Sequence, residues 1–328
     1  MILLLGASGY IGRAFAAELR RRGHSFIPLT RRAFDYTRFD FLFDYLRTMR
    51  PVFLINAAGY GGSFCGEIAE SEREKMMAAN AILPQMIARV CLMTKTPWGH
   101  VSSGTIYSGA KIQRNQSVGI ERDLGTTDIL QLFSAHPENF RGFTELDEPN
   151  FSFHAGPCDF FSGTKALAEE AIRGLGQSYI WRLRLPFNER DEPCNWLSRF
   201  QSEPETPDNV DSFSHLEDCV KACLDVWELR APFGIYNVTN PGALTRHQIS
   251  EGMQRVLKMP TTPSTGSARA AACPQSHCIL DTGKLLKAGV KIRPIPEAFD
   301  DCLDRLRLAS RGTKPFERAS QAFLTASN

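Results

Sequence analysis

The sequence predicts an α/β fold, a doubly wound parallel sheet with helices on both faces and a smaller C-terminal region beside it. Three observations predict it. Short apolar runs alternate with longer amphipathic ones through the first half of the chain, the pattern of parallel strands joined by covering helices. The first run, Ile2–Leu5, leads directly into the glycine-rich stretch Gly6-Ala7-Ser8-Gly9-Tyr10-Ile11-Gly12. Beyond Pro186 the alternation breaks up among Pro193, Pro204, Pro207 and Pro232, so a differently built region follows.

Taken in order, Ile2–Leu5 is apolar at every position, as a strand buried on both faces must be. Ile11–Arg22 has helical spacing with a basic outer face, and Ser25–Leu29 and Val52–Asn56 read as the next two strands. Glu67–Thr94 reads as a long helix and Trp98–Ser102 as a strand. Ser108–Phe143 has no clear periodicity and mixes Gly, Pro, Asn and His, which predicts a long excursion acting as a lid or contact surface. Lys165–Leu175 reads as a helix, Ser178–Leu185 and Gly234–Val238 as strands, and Arg246–Leu257 and Pro296–Leu308 as helices.

A chain of 328 residues is long enough to bury a continuous core. Lys+Arg 38 against Asp+Glu 36 gives a net charge of +2, without the basic stripe that nucleic-acid binding needs, so nucleic acid is not an expected partner. The apolar start is far shorter than a membrane span and lacks the cationic lead of a signal peptide, so it reads as a buried strand of a cytoplasmic protein with no membrane partner. Nine cysteines, an odd number spread over a long chain, point to reduced thiols. Cys219 with Cys223, and Cys273 with His277-Cys278, each lack a second ligand pair at a zinc-site spacing, and no metal is expected.

The glycine-rich turn carries the first functional signal. Between a strand and a helix, Gly6, Ser8, Gly9, Tyr10, Ile11 and Gly12 can bring backbone N–H groups against a pyrophosphate, the Rossmann arrangement for a dinucleotide. Where such units for NAD carry an acidic residue, roughly twenty residues past the glycines, this chain has Thr30-Arg31-Arg32. Two guanidinium groups there suit a 2′-phosphate, which favours NADP(H) and leaves NAD(H) open. The domain reading that follows is a dinucleotide-binding domain over 1–185, with 211–240 returning to it, and a mainly substrate-binding region over 186–328.

Further motifs resemble the extended short-chain dehydrogenases/reductases, in the order found there. Asn56-Ala57-Ala58-Gly59 resembles the family segment beside the cofactor riboses, and Asn80 its central-helix asparagine. Val101-Ser102-Ser103-Gly104-Thr105 resembles the strand end that supplies a catalytic hydroxyl, with Ser103 at the matching position. Phe161-Ser162-Gly163-Thr164-Lys165 resembles the Tyr-x-x-x-Lys motif, and Pro186 in Arg182-Leu183-Arg184-Leu185-Pro186 falls where the family meets its cofactor. The likeness is strongest to 4-keto-reductases of deoxysugar nucleotides, such as dTDP-4-dehydrorhamnose reductase and nucleotide-rhamnose epimerase-reductases. It implies a nucleotide-sugar substrate, contacts from Ser103 and Thr105 to that substrate, and a homodimer; Arg182 and Asn195 are candidates for contacts to substrate phosphates or hydroxyls, with a structural role the equal alternative.

In that chemistry a tyrosine phenol, acidified by the neighbouring lysine, protonates the carbonyl oxygen while hydride reaches carbon, and a Ser or Thr hydroxyl polarises the same oxygen. Lys165 is in place one helical turn from the acid position, but that position is Phe161, which has no proton to give. Three readings stay open: a deliberate replacement of Tyr that traps a complex, a natural binding relative without turnover, or another donor such as Tyr107 or a water held by Ser103. An NAD-dependent nucleotide-sugar epimerase and a cofactor-sensing protein are the alternatives to a reductase. A 4,6-dehydratase fits less well, because Gly104-Thr105 replaces the Asp-Glu pair of that family. His215 and Asp218 have the look of an acid–base pair within a segment that packs a helix under the sheet.

Overall fold

The computed structural model describes residues 1–61, 68–122, 126–156, 158–202, 208–257 and 277–312. The chain opens β1 (Ile2–Leu5), α1 (Tyr10–Arg21), β2 (Phe26–Leu29), α2 (Phe39–Met49) and β3 (Phe53–Asn56). Then come α3 (Glu70–Met77), a π turn (Ala78–Ile82), α4 (Leu83–Thr94) and β4 (Trp98–Ser103). The excursion contributes β5 (Ala110–Arg114), β6 (Ser117–Glu121), α5 (Thr126–Ala135) and β7 (Phe140–Arg141). The second half holds α6 (Phe160–Ile172), β8 (Ser178–Leu183), β9 (Pro186–Phe187), α7 (Trp196–Ser202), β10 (Val210–Asp211), β11 (Ser214–His215) and α8 (Leu216–Glu228). It ends with β12 (Gly234–Asn237), β13 (Leu244–Thr245), α9 (Arg246–Leu257), α10 (Gly283–Lys287) and α11 (Ile295–Gly312).

Six parallel strands form the central sheet in the order β12-β8-β4-β3-β1-β2. The order in which the chain adds strands switches sides at β1, with β2 on one flank and β3 then β4 on the other, so the carboxyl ends of β1 and β3 flank the crevice where open α/β sheets take ligands. Alternation of side chains splits the core. Ile2, Leu4, Phe53, Ile55, Val101 and Trp181 face α1 and α8, while Leu3, Leu5, Leu54, Trp98 and Ile180 face α2, α4 and α6. The two faces explain why β1 and β3 are apolar at consecutive positions.

The strands lie close to their predicted bounds, except that β8 stops at Leu183 and Leu185 adopts a φ of 42°. The long helix expected from Glu67 begins at Glu70 among the described residues, Glu67 lying outside them. That run, Glu70–Thr94, is long and apolar enough to cross a membrane by length and composition, but half of its apolar window is buried inside the protein, as a core helix is.

Among the features the sequence did not predict are α2 and the order within the excursion. α2 fills Phe39–Met49 and buries Leu42 and Leu46, and the excursion is an ordered antiparallel sheet, β6-β5-β7, carrying α5. Ala110, Ile112, Ile129 and Phe140 from that excursion pack on Val210, with Ala243 and Ile279 alongside, so it is fastened to the second half of the chain. A separate core of Phe187, Leu197, Phe213, Ile249, Met253, Phe299 and Leu303 holds α7, α9 and α11 together.

Candidate functional site

The glycine turn is shaped by contacts that admit no side chain. Gly6 has φ +73°, and a Cβ there would lie 2.5 Å from the Ala58 backbone nitrogen. A Cβ on Gly12 would lie 2.0 Å from the Gly6 carbonyl oxygen, which fixes α1 tight against the turn. Gly9 caps α1 and donates to the Gly6 carbonyl at 3.0 Å, and no side chain caps the first turn of that helix. The helix therefore presents backbone donors and the positive end of its dipole at the strand ends, a geometry that fits a pyrophosphate. Ser8 is exposed, its carbonyl accepting from Arg13, whereas the Tyr10 ring is buried and Ile11 packs on the core, so these two line the turn through their backbone. Arg31 and Arg32 follow β2 and are both exposed.

The turn after β3 is built onto the same spot. Asn56 accepts from the Ala58 N–H at 3.1 Å, and its amide donates to the fully buried His100 at Nδ1, 3.1 Å away. Burial, and then the nearby Lys165 charge, hold His100 well below the usual histidine range, so it stays neutral. Asn80 sits in the π turn between α3 and α4, a local widening often found at functional sites. Its amide clasps the Tyr60 backbone, accepting at 2.9 Å and donating at 2.9 Å. Beside it, a Cβ on Gly59 would lie 3.3 Å from Asn80 Oδ1 and 3.6 Å from Lys165 Nζ. Asn56, Ala57, Ala58, Gly59, Asn80 and Lys165 therefore converge.

Lys165 projects from α6 and donates to the Val101 carbonyl at 3.2 Å. Burial pushes its ammonium down to about 8, with Glu169 one turn later opposing the shift. The Phe161 ring lies 5.8 Å from Nζ, and its carbonyl accepts from the Thr164 hydroxyl at 2.8 Å. Asp159 caps α6 by accepting from the Ser162 N–H at 2.7 Å. Ser103 ends β4, and its Oγ accepts from the Thr105 N–H at 3.2 Å and from the Thr105 hydroxyl at 3.0 Å. A hydroxyl oxygen has two acceptor positions and one proton. With both acceptor positions used by Thr105, the Ser103 proton is available to an acceptor outside this turn.

Other expected residues lie elsewhere. Arg182 is not at the surface of a substrate pocket but wholly buried under α6, where Nε and Nη2 meet the Glu169 carboxylate at 2.6–3.0 Å and Nη1 donates to the Tyr107 hydroxyl at 2.8 Å. Alternation along β8 sends residue 182 to the helix-covered face, so a substrate contact from it is replaced by a structural ion pair. Asn195 is also buried, donating to the Asn188 and Arg190 carbonyls and accepting from the Leu197 N–H, which closes a loop. Pro186 stands in β9, paired with Ser214.

Tyr107 is removed as an alternative proton donor. Its ring is fully buried and stacked on Phe143, and its hydroxyl donates to the Asp147 carbonyl at 2.6 Å. His215 and Asp218 fasten α8 to the C-terminal segment: Asp218 accepts from Arg293 at 2.7 Å and Asn240 at 2.9 Å, with His215 Nδ1 3.3 Å away. Burial works against the Asp218 charge, but these donors outweigh it and hold the carboxyl at about 2. Cys219 and Cys223 are buried in the core, and burial pushes both thiols up. Cys273 lies outside the described residues, and His277 accepts from the Val210 N–H at 3.0 Å. Glu169, Asn188 and Arg184 were missed as partners; only Glu169 left a trace in the sequence, four residues after Lys165 on the same helix face.

With this geometry in view, comparisons with known proteins add a family. The family model described as the RmlD substrate binding domain matches residues 1–308. The chain is 24% identical over 291 residues to a trifunctional UDP-glucose 4,6-dehydratase/UDP-4-keto-6-deoxy-D-glucose 3,5-epimerase/UDP-4-keto-L-rhamnose-reductase of Arabidopsis thaliana, covering 87% of this chain and 39% of that protein. It thus spans about two fifths of that relative's length. Against the bifunctional dTDP-4-dehydrorhamnose 3,5-epimerase/dTDP-4-dehydrorhamnose reductase of the same plant it is 24% identical over 303 residues, covering 90% of each. Among solved structures, the UDP-rhamnose synthase of Acanthamoeba polyphaga mimivirus shares the fold, with a TM-score of 0.74, 17% identity, and coverage of 93% of this chain and 98% of that one. Because the match runs over residues 1–308, which include both the crevice above β1 and β3 and the region beyond β8, the chain belongs to the RmlD substrate binding domain family.

Proposed function

We propose that this chain is a reductase for a nucleotide-linked 4-keto-deoxysugar that works with NADPH. The observation that carries the reading is the convergence of the Gly6–Gly12 cradle, the Asn56–Gly59 turn, Asn80 and Lys165 on one crevice, with Ser103 beyond them offering a proton. The cradle fits a dinucleotide because glycine at 6 and 12 lets the turn and α1 pack backbone to backbone, which leaves the uncapped start of the helix at the strand ends. When bound, NADPH supplies hydride. Lys165 would hold its ribose hydroxyls and Ser103 would donate a hydrogen bond to the ketone oxygen, stabilising the charge that grows there, with the proton coming from solvent because Phe161 has none to give. Relatives named for reduction of 4-keto-rhamnose nucleotides favour the same class of substrate.

Cofactor choice follows from Arg31 and Arg32. An epimerase retains NAD permanently; two exposed guanidinium groups after β2 instead suit an exchangeable cofactor with a 2′-phosphate. Replacing both, Arg31→Ser with Arg32→Ser, is expected to weaken NADPH about 10- to 100-fold, the range for lost charge-assisted hydrogen bonds. NADH affinity should hardly change. Fluorescence titration of each cofactor measures this, and equal losses for both would remove the arginines from phosphate recognition.

The activity itself is tested by incubating the protein and its Phe161→Tyr form with NADPH and UDP- or dTDP-linked 4-keto-6-deoxysugars, with the hydrogenated nucleotide sugar read by mass spectrometry. Product from the tyrosine form supports the reductase. Silence from both forms, with cofactor tightly bound, would favour a cofactor-sensing protein.

A further inference from the structure

Arg184 stands directly after the carboxyl end of β8 and is almost wholly buried, at 2% exposure. Its Nη2 donates to Asp211 Oδ1 at 2.6 Å, while Nε and Nη1 have no hydrogen-bond partner among the described residues. Its partner Asp211 is bridged through the backbone to Cys278, and Asp159 lies near enough for its charge to act on Arg184. These neighbours mark its position. Asp159 caps the helix that carries Phe161 and Lys165, and Cys278 Sγ lies 3.6 Å from the carbonyl of Gly104, the residue after Ser103. Arg184 is therefore bracketed by the two segments that hold the reacting groups. It stands on the strand-end side of the sheet, where a ligand is expected.

Such a group is uncommon, because buried donors are nearly always satisfied and a guanidinium is never relieved by losing its proton. Nε–H and the Nη1 hydrogens leave the planar group in different directions. A single phosphate oxygen pair cannot serve both, whereas hydroxyls spaced around a sugar ring can. Asp159, whose carboxyl burial holds above its ordinary range, makes no ion pair with Arg184 and leaves those donors to something else.

Resting on the reductase reading above, we propose that Arg184 is a substrate-binding residue that donates from Nε and Nη1 to oxygens of the sugar at its reacting end. Asp211 fixes the guanidinium orientation, and the Arg184 N–H, donating to Ser214 Oγ at 3.0 Å, fixes the backbone. The sugar, rather than the nucleotide, is what Arg184 distinguishes.

Calorimetry with UDP-rhamnose, dTDP-rhamnose, UDP and dTDP in the presence of NADPH tests this on the unaltered protein and two variants. Arg184→Lys keeps a charge for Asp211 and loses both unpaired donors. Arg184→Met with Asp211→Leu removes the pair together, so that no buried carboxylate is stranded. Each is expected to bind the nucleotide sugar about 10- to 100-fold more weakly while its affinity for the matching nucleoside diphosphate and for NADPH is retained. Unchanged nucleotide-sugar affinity in the variant that melts as the parent does would overturn the role of Arg184 and leave the reductase reading standing. A parallel loss for UDP or dTDP would place Arg184 at the diphosphate instead, also overturning it. If the unaltered protein binds neither nucleotide sugar, both the inference and the function above fall.

Discussion

Phe161→Tyr is expected to raise the turnover number for ketone reduction about 10²- to 10⁴-fold, the usual contribution of a placed general acid. The seat, rather than the residue that fills it, decides this. The Phe161 ring stands 5.8 Å from Lys165 Nζ, one helical turn along α6, and its carbonyl is tied to Thr164. Adding a hydroxyl to that ring supplies a proton next to an ammonium that lowers a phenol's pKa. The gain should appear in kcat, because the new group acts on charge that develops in the transition state.

The pH dependence has a definite sign. Burial brings the Lys165 ammonium down to about 8, so the charge that assists the phenol is present below that pH and lost above it. Turnover by the tyrosine form should therefore fall as pH rises past about 8, while the parent's low rate lacks that limb. A tyrosine form no faster than the parent, with NADPH bound, would remove position 161 from the reaction.

The second large effect is on stability. Glu169 accepts Arg182 through three contacts of 2.6–3.0 Å and Ser102 Oγ at 2.5 Å, and the two charged side chains are 2% and 0% exposed. Burial disfavours the Arg182 charge, but Glu169 more than offsets it and holds the pKa above the ordinary arginine value. Removing only the carboxylate, by Glu169→Ala, leaves a buried guanidinium without its counterion and should cost about 3–5 kcal/mol. For a chain of this size that corresponds to a melting temperature lower by about 4–7 °C. Replacing both, Glu169→Leu with Arg182→Met, should recover much of the loss. A single variant within about 1 kcal/mol of the parent in denaturant unfolding would show that the pair does not hold α6 to β8.

Much of this framework is legible in the sequence because both-face burial leaves a distinctive mark. β1 and β3 are consecutive apolar residues, and Gly6, Gly9 and Gly12 occur where any side chain would strike the backbone or crowd it. Less legible were elements whose burial is one-sided or long-range. α2 places Leu42 and Leu46 inward but leaves Phe39 and Phe41 exposed, so its run of aromatic residues hides the helical period. In the excursion, β5 turns into β6 through Asn115 at φ 54°, and Val118 and Ile120 on β6 face outward, against the usual alternation signal.

For the site, Ser103 and Lys165 stood out through the resemblance of their segments to family motifs, one at the end of β4 and the other in the second turn of α6. Arg182 could be read either as a substrate contact or as a structural residue, and the sequence could not decide because its partner Glu169 comes from another element. Arg184 gave no signal of its own, since its meaning lies in the absence of partners for two nitrogens, a property only the folded chain has.

Every role proposed for these residues requires that the crevice above β1 and β3 hold a phosphorylated dinucleotide, and calorimetric titration of the unaltered protein with NADPH and with NADH measures that directly. Saturable one-to-one binding, tighter for NADPH, is the result expected from the glycine cradle and the two arginines. No heat of binding with either cofactor, from protein that unfolds cooperatively, would contradict it.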